Sequence, residues 1–252
     1  MTHRTLRILA VTALALFMVR PARAQQPSAW TGAGFIAIDA GYQIASTTFD
    51  TTTTYTLNVE PAHVSASYEI EPGPMFGARG GVRVWKNLAV GAGVSYFSQT
   101  GHAEVEAQLP HPFYLNRNRM ASGTLGSFEH QQVMVSAEAS WLVRAGSRVN
   151  VTIFGGPAYF RAWQTVAGAA RFTESYPYDE AMLTDVERTS QTISATGFTV
   201  GADVSYLFSK AAGVGGLLRY SRASGRLGGG ETAQAALDLG GVQASGGLRI
   251  RF

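Results

Sequence analysis

His63 and Ser65 are the two side chains of this sequence best placed for nucleophilic chemistry. They are two residues apart in the string His63-Val64-Ser65, and residues two apart on a β-strand lie on the same face. An imidazole beside a hydroxyl can act as a general base that activates a nucleophile. A strand through residues 63–65 would therefore give the pair a usable geometry.

Charged residues that recur on one face of alternating segments form a second group with chemical potential. Arg79, Glu138 and Asp203 each lie seven residues before a short polar turn, and Arg219 lies about as far after one. If these segments are strands, opposite charges from at least four of them meet near one level. An unpaired buried charge costs several kcal/mol, so these side chains must pair or be hydrated. The complete predicted network consists of Asp39, Arg79, Arg83, Glu138, Asp203, Arg219, Arg249 and Arg251.

The connections that must position these residues alternate between short and long. Tight turns are predicted at Lys86-Asn87, at Ala145-Gly146-Ser147 and at Lys210–Gly213. Three short turns and four long loops join eight strands and leave both chain ends on the short-turn side, as in an up-and-down barrel. The four polar stretches predicted as long loops are residues 46–74, 100–130, 166–191 and 223–238.

The final strand indicates which face meets which environment. One face holds Leu248, Ile250 and Phe252, and the other holds Arg249 and Arg251. A soluble barrel would show the same alternation with its apolar face inside. However, aromatic residues lie toward the ends of the apolar faces, and small residues crowd the charged faces, as expected for interfacial girdles around a narrow polar lumen. The sequence therefore predicts an all-β, eight-stranded antiparallel transmembrane β-barrel with short turns at one end and long loops at the other.

The N-terminus has the features of a secretory signal. Basic residues precede an apolar run from Ile8 to Val19, and Ala22-Arg23-Ala24 offers small residues where a signal peptidase cleaves. The run is too short to span a bilayer, which needs about 20 apolar residues. Residues 1–24 are thus predicted to be a cleaved signal peptide, and residues 25–252 to be the barrel domain.

Composition excludes several functional classes. The chain has 20 basic and 17 acidic residues, and loss of the four arginines of the signal leaves 16 basic and 17 acidic, a net charge of about −1. The high isoelectric point therefore gives no support for nucleic-acid binding. The chain has no cysteine, which excludes disulfides, thiolate zinc sites and a cysteine nucleophile. No metal or other cofactor is expected.

The charged lumen has two interpretations. It can be a salt-bridge plug that fixes strand register and closes the barrel, or it can line a conducting pathway for small solutes. Eight strands enclose an interior about wide enough for its own side chains, whereas open porins use about 16 to 18 strands. We therefore predict a plugged lumen.

The predicted signal peptide, the eight alternating strands, the connection pattern and the terminal Phe252 together resemble the small outer-membrane β-barrel superfamily typified by OmpA and OmpX. The resemblance covers nearly all of the mature chain and is architectural. It implies residence in the bacterial outer membrane, contact with outer-membrane lipid and lipopolysaccharide, and insertion by the barrel-assembly machinery, with Phe252 as part of the recognised last strand. We expect a monomer with a non-enzymatic structural or surface-interaction role.

An enzymatic alternative rests on a second resemblance. The lipid A deacylase family of outer-membrane barrels uses a His-x-Ser pair with a carboxylate on its lipid-facing surface, and His63-Val64-Ser65 matches that pair. The departure is that the family's pair occurs late in the chain, whereas this pair falls in or beside the first long stretch. Glu60 or Glu69 would have to supply the carboxylate.

The second and third polar stretches carry candidate recognition residues. The second stretch contains Pro110-His111-Pro112-Phe113-Tyr114 together with Arg117 and Arg119. Exposed aromatics beside arginine are common binding anchors, and an extracellular surface ligand is one expectation. The same residues can instead be strand extensions that pack on each other. The third stretch contributes Phe172, Tyr176 and Tyr178.

Overall fold

The computed structural model describes residues 32–146, 148–229 and 232–252. The predicted signal peptide, residues 1–24, lies outside these described residues. Within them, no helix is long and apolar enough to cross a bilayer. The described residues form ten antiparallel strands: β1 (Gly34–Gln43), β2 (Thr47–Leu57), β3 (Glu60–Ile70), β4 (Gly73–Trp85), β5 (Leu88–Pro110), β6 (Asn118–Arg144), β7 (Val149–Glu174), β8 (Ala181–Leu207), β9 (Ala212–Gly229) and β10 (Thr232–Arg251).

Eight of these strands close into a ring, which confirms the predicted eight-stranded barrel. Strand β1 pairs with β4 on one side and with β10 on the other. From β4 the ring continues through β5, β6, β7, β8 and β9 back to β10. At the seam, Phe35 lies opposite Arg251 and Gln43 lies opposite Gln243. Backbone hydrogen bonds between Gly34 and Phe252 tie the two ends of the described chain together.

Strands β2 and β3 form a hairpin that prolongs β1 and β4 beyond the ring. The strand conformation is interrupted only at residues 44–46, between β1 and β2, and at residues 71–72, between β3 and β4. Two long strands of the barrel wall are thus each divided in two. The hairpin pairs with β5 through His63–Tyr68 and with β10 through Thr53. The barrel wall therefore continues above the ring.

This extension corrects the prediction that the four polar stretches are long loops. Residues 100–110, 118–130, 166–174 and 181–191 are strand, so the connections on this side are short hairpin tips rather than loops. The alternation is present in these segments, since Ala103, Val105 and Ala107 are buried between exposed polar residues. The sequence analysis took these segments as loops because of their polar composition. In the structure their polar residues face outward and small apolar residues fill the interior. The three short turns, by contrast, lie where they were predicted, between β4 and β5, β6 and β7, and β8 and β9.

The barrel reverses its polarity along its axis. Around the ring the outward side chains are apolar and exposed, as with Ile38, Val94, Ile153 and Leu248, and the inward ones are mostly polar or small. In the extension the outward side chains are polar, and the interior is a packed apolar core. We call the outward surface of the ring the apolar band and the part above it the extension. The extension core includes Phe49, Val64, Tyr68, Ile70, Phe97, Val105, Leu109, Phe128, Phe160, Val166, Val186, Ile193, Leu227, Leu237 and Leu239.

Strand β10 shows where the reversal occurs. The alternation of the sequence predicts Leu239 on the outside with Leu248, with a change of phase near Val242. The structure buries Leu239 and exposes Val242, and the pairing of β10 with β9 runs without a shift from Leu239 to Ile250. The alternation is therefore unbroken, and Leu239, nine residues before Leu248, lies on the opposite face. Gly240 and Gly241 have φ values of +95° and +124°, which only glycine adopts at little cost, but the strand keeps its phase through them. What changes here is the inward face, which is apolar at Leu237 and Leu239 and polar at Gln243 and Arg249.

Candidate functional site

Asp203 is the centre of a buried charge network in the lumen of the ring. Its Oδ2 accepts hydrogen bonds from Arg249 Nε at 2.8 Å and from Arg79 Nη2 at 3.1 Å. Arg249 also pairs with Asp39, with Nη2 to Oδ1 at 2.7 Å, so β1, β4, β8 and β10 are joined. Arg79 lies 3.6 Å from a carboxylate oxygen of Glu138 on β6. These five side chains are at most 5% exposed, and opposite charges hold the barrel walls together across the lumen.

Small residues make room for this network. A Cβ added at Gly93 would lie 2.7 Å from Glu138 Oε1 and 2.8 Å from Ser136 Oγ. Ser136 Oγ in turn donates a 2.8 Å hydrogen bond to Glu138. The guanidinium of Arg79 stacks 4.2 Å from the ring centroid of Phe154. The crowding of small residues beside charges in the sequence thus has a packing cause.

The remaining predicted lumen residues lie in two places. Arg219 is fully buried, and its Nε donates to Gln243 Oε1 at 2.7 Å. Gln243 donates to Gln43 at 2.9 Å, which carries the network to β1. Arg83 and Arg251 are half-buried toward the short-turn end. Sequence reasoning did not single out the two glutamines, although both fall on the inward face of their strands.

The lumen at this level is filled. Between Arg79, Asp203, Arg249 and Arg251 there is a cavity of about 20 Å³, which has room for about one water molecule. The extension core above it is packed as a protein interior. Purified protein in planar bilayers is therefore expected to give no discrete conductance steps under applied voltage. Steps from the wild type whose size changes with Arg219→Ala would instead identify the lumen as a conducting path.

His130 lies inside the barrel where the ring meets the extension. Its outward neighbours Glu129 and Gln131 place it above the apolar band, and it is 3% exposed. Nδ1 lies 2.8 Å from Gln164 Oε1. Burial is the main cause that lowers the pKa of His130 below its ordinary value of 6.5, because a charged imidazole would lose its hydration.

This histidine predicts that acid destabilises the fold. Below about pH 6.5 the unfolded chain binds a proton at this position while the folded chain resists it, so the free energy of unfolding falls as the pH falls. Unfolding midpoints measured at pH 7.5 and pH 5 should differ less for His130→Gln than for the wild type. His102→Gln, at an exposed position, is the matched control and should keep the wild-type difference. Equal pH dependence in the two variants would contradict this role.

A second cluster joins three hairpin tips at the far end of the extension. Arg119 is 4% exposed, and its guanidinium donates to the carbonyl oxygens of Pro110 and Tyr178, each at 3.1 Å. It also pairs with Glu174 at 2.5 Å. This one side chain therefore fixes the β5–β6 tip to the β7–β8 tip. We call the whole group the tip cluster: Asn58, Glu60, Pro110, His111, Phe113, Tyr114, Asn116, Arg117, Arg119, Phe172, Glu174, Tyr176, Tyr178 and Asp179.

Aromatic rings cover the outer surface of the tip cluster. Phe113 and Tyr178 pack edge to face with ring centroids 5.5 Å apart, and Tyr176 packs on Tyr178 at 6.2 Å. Arg117 lies 5.6 Å from the Tyr114 ring and pairs with Asp179 at 2.7 Å. Phe113, Tyr114 and Tyr176 remain 71%, 58% and 86% exposed.

His111 orders the β5–β6 tip from within. It is buried, and its Nδ1 accepts hydrogen bonds from the backbone N–H groups of Phe113 at 3.1 Å and Tyr114 at 3.3 Å. The backbone N–H of His111 donates to the backbone carbonyl of Arg117 at 2.8 Å, which closes the tip. The aromatic residues are thus held on an ordered turn.

The first hairpin completes the tip cluster, which sequence reasoning did not anticipate. The backbone N–H of Asn116 donates to Glu60 Oε1 at 2.8 Å, and the Asn58 amide donates to the Pro110 carbonyl at 3.3 Å. Asn58 has a positive φ of 51° at the β2–β3 turn, a conformation that Asn tolerates better than most residues. Asn58 is the signal from which a tight turn at this position could have been predicted.

The structure places His63 and Ser65 on the outward side of β3, in the extension. His63 Nδ1 lies 3.0 Å from the Thr54 hydroxyl, and Ser65 Oγ lies 3.3 Å from the Thr52 hydroxyl. Glu60 is engaged by the tip cluster. The residue opposite Ser65 on β5 is Glu106, a carboxylate that the sequence interpretation did not name.

Acidic and histidine residues do not converge elsewhere in the described chain. Across residues 32–146, 148–229 and 232–252, no three His, Asp or Glu side chains are arranged to hold a metal ion. Asp179 pairs with Arg117, and Asp185 pairs with Arg188 at 2.9 Å.

Solved structures similar to this chain are outer-membrane barrels. The outer membrane protease OmpT from Escherichia coli aligns with a TM-score of 0.50 at 8% identity, over 92% of this chain and 99% of that one. OprG from Pseudomonas aeruginosa aligns with a TM-score of 0.45 at 14% identity, over 88% and 97%. Neisserial surface protein A aligns with a TM-score of 0.37 at 13% identity, over 87% and 97%. At these identities the likeness concerns the fold alone.

No curated protein matches this sequence. The family model of the outer membrane protein beta-barrel domain matches residues 10–252 of this chain. That match covers nearly the whole chain and agrees with the closed ring, the apolar band and the inward charges. The chain therefore belongs to the outer-membrane protein β-barrel domain family, and it resides in the outer membrane.

Proposed function

We propose that this protein is a non-enzymatic outer-membrane barrel that presents a rigid recognition surface to the cell exterior. The observation that carries the proposal is the tip cluster, in which ordered hairpin tips hold exposed aromatic rings. Large, rigid rings beside arginine give contact area at low entropic cost, and such residues dominate binding hot spots. The extension lifts this surface away from the bilayer, and the filled lumen supports a structural rather than a conducting barrel.

The experiment is adhesion of cells that express the protein to a panel of immobilised matrix proteins and polysaccharides. The Tyr114→Ala, Tyr176→Ala double variant should lose any adhesion that the wild type confers, because both rings are exposed and their removal leaves the Arg119 contacts intact. Met182→Ala removes a side chain that is 71% exposed on the adjoining strand and serves as the matched control. Adhesion that survives in the tip variant, or that Met182→Ala abolishes equally, would exclude the tip cluster as the binding surface.

The geometry around His63 supports the non-enzymatic part of the proposal. A catalytic imidazole is usually oriented by a carboxylate at its second nitrogen, and a threonine hydroxyl takes that position here. The pair also lies above the apolar band, away from the acyl chains of the outer leaflet. The mass spectrum of lipid A from expressing cells should be the same for wild type and His63→Ala. Loss of an acyl chain only with the wild type would make residues 63–65 a catalytic site.

A further inference from the structure

A groove on the outer wall lies directly above the apolar band on strands β6, β7 and β8. Its volume is about 240 Å³, somewhat below the roughly 300–1,000 Å³ of pockets for drug-sized ligands. Trp163 is half-buried in its wall. The other lining residues carry an amide, two hydroxyls and a carboxylate: Gln131, Thr165, Ser190 and Glu129.

The strand register fixes the height of this groove. Tyr159, an exposed aromatic of the band, lies opposite Val135, and two residues further along β7 Arg161 lies opposite Val133. One further step up, Trp163 lies opposite Gln131. At about 3.3 Å per residue, the outward surface thus changes within about 13 Å from aromatic to cationic to polar. This is the depth at which lipid headgroups meet a transmembrane barrel.

Arg161 flanks the lower end of the groove. Its guanidinium carbon is 5.3 Å from the centroid of the Trp163 ring, and the side chain is exposed. Across the described part of the chain no carboxylate lies within ion-pair distance of it, whereas Arg171, Arg188 and Arg222 each pair with an acidic residue. An arginine without an acidic partner at headgroup depth is suited to a phosphate, which guanidinium binds through two parallel hydrogen bonds.

The vertical order of these groups matches one class of ligand. A glycolipid of the outer leaflet carries its acyl chains against the band, its phosphate at the surface and its sugar hydroxyls above. Trp163 offers a flat apolar ring against which a sugar ring can stack, and the amide, hydroxyl and carboxylate groups above it can bond sugar hydroxyls. Glu129, the one negative charge of the groove, lies at the upper end with Thr165 and Ser190, away from Arg161.

We propose that this groove binds the phosphorylated sugar headgroup of an outer-leaflet glycolipid, with Arg161 on the phosphate and Trp163 against the sugar ring. The site is separate from the tip cluster, so it goes beyond the proposed recognition function.

The test is native mass spectrometry of the folded protein in detergent, titrated with bisphosphorylated lipid A. Folding of each variant is first confirmed by its shifted mobility on unheated gels. Arg161→Gln should weaken lipid A binding about tenfold or more, the usual size of one charge-assisted hydrogen bond. Arg171→Gln changes the same charge ten residues further along β7 and should bind as the wild type does. Equal losses in both variants would show only a general electrostatic effect and overturn the proposal.

Two further probes separate the parts of the ligand with wild-type protein alone. Dephosphorylated lipid A should bind as weakly to the wild type as bisphosphorylated lipid A binds to Arg161→Gln, and undiminished binding would overturn the phosphate assignment. The deacylated bisphosphorylated disaccharide should bind more weakly than the intact lipid, because it cannot contact the band. Equal affinity would instead show a site for a free phosphorylated saccharide, and the membrane lipid would be excluded as the specific ligand.

Discussion

Substitution of Asp203 by alanine is expected to lower the free energy of unfolding by about 3–5 kcal/mol, the usual cost of breaking a buried ion pair by removing one partner. The carboxylate accepts hydrogen bonds from both Arg79 and Arg249. Without it two guanidinium groups would remain in a narrow lumen, with Glu138 and Asp39 as their acidic partners. Denaturant unfolding of the protein in lipid vesicles, followed by loss of heat-modifiable mobility, would measure the change.

The matched control for this prediction is Asp238→Ala. Asp238 also pairs with an arginine, Arg222, at 2.9 Å, and also accepts a hydrogen bond from Ser224. Both side chains of the ion pair are about half exposed, so water replaces the lost contact and the change should be much smaller. If the two variants were equally stable, the lumen network would be a consequence of barrel closure rather than a contributor to it.

Substitution of Arg119 by alanine is expected to release the tip cluster while leaving the ring folded. The side chain joins two hairpin tips through two carbonyl oxygens and a carboxylate, and it stacks 5.7 Å from the Phe172 ring. Its loss removes a donor from the Pro110 carbonyl, which keeps the Asn58 amide, and from the Tyr178 carbonyl; a buried group left unsatisfied costs about 1–3 kcal/mol. Amide hydrogen exchange should therefore accelerate at least tenfold in residues 110–119, and any surface adhesion should be lost with it.

Two comparisons make the Arg119 prediction specific. Arg119→Lys keeps the charge but not the planar fork of donors, so it should restore order only in part. Exchange in β1 and β4, which lie in the ring, should be unchanged in both variants. If exchange rose equally in the ring and at the tips, Arg119 would contribute to the stability of the whole barrel and not to the order of the recognition surface.

The membrane part of this protein could be predicted from the sequence because several local patterns agree. The alternation of Leu248, Ile250 and Phe252 with arginines fits a soluble barrel as well, but the aromatic residues toward the ends of the apolar faces and the small residues beside the charges favour lipid outside and a narrow polar lumen inside. The three short turns could be predicted from their polar, turn-forming residues. The role of Phe252 in barrel assembly stays a prediction, although its exposure at the end of the closing strand suits it.

The extension could not be distinguished from loops by composition. In the band an apolar side chain faces outward, and in the extension a side chain of the same type faces inward, so the meaning of the pattern depends on whether lipid or water surrounds the wall. Leu239 was assigned to the wrong face for this reason. The strand in fact keeps one phase, so Leu239 and Leu248, nine residues apart, lie on opposite faces.

For the lumen network and the tip cluster, too, the sequence predicts one part of the arrangement and the tertiary structure decides the other. Period-two alternation determined that Asp39, Arg79, Glu138, Asp203 and Arg249 face inward, because direction on a strand is local. Strand register across the barrel decided that Asp203 stands between two arginines, and the meeting of three hairpin tips decided the partners of Arg119. Such contacts join residues more than 50 positions apart, and no local pattern specifies them. The sequence by itself determined which face each lumen side chain takes, and the tertiary structure alone decided which of them touch.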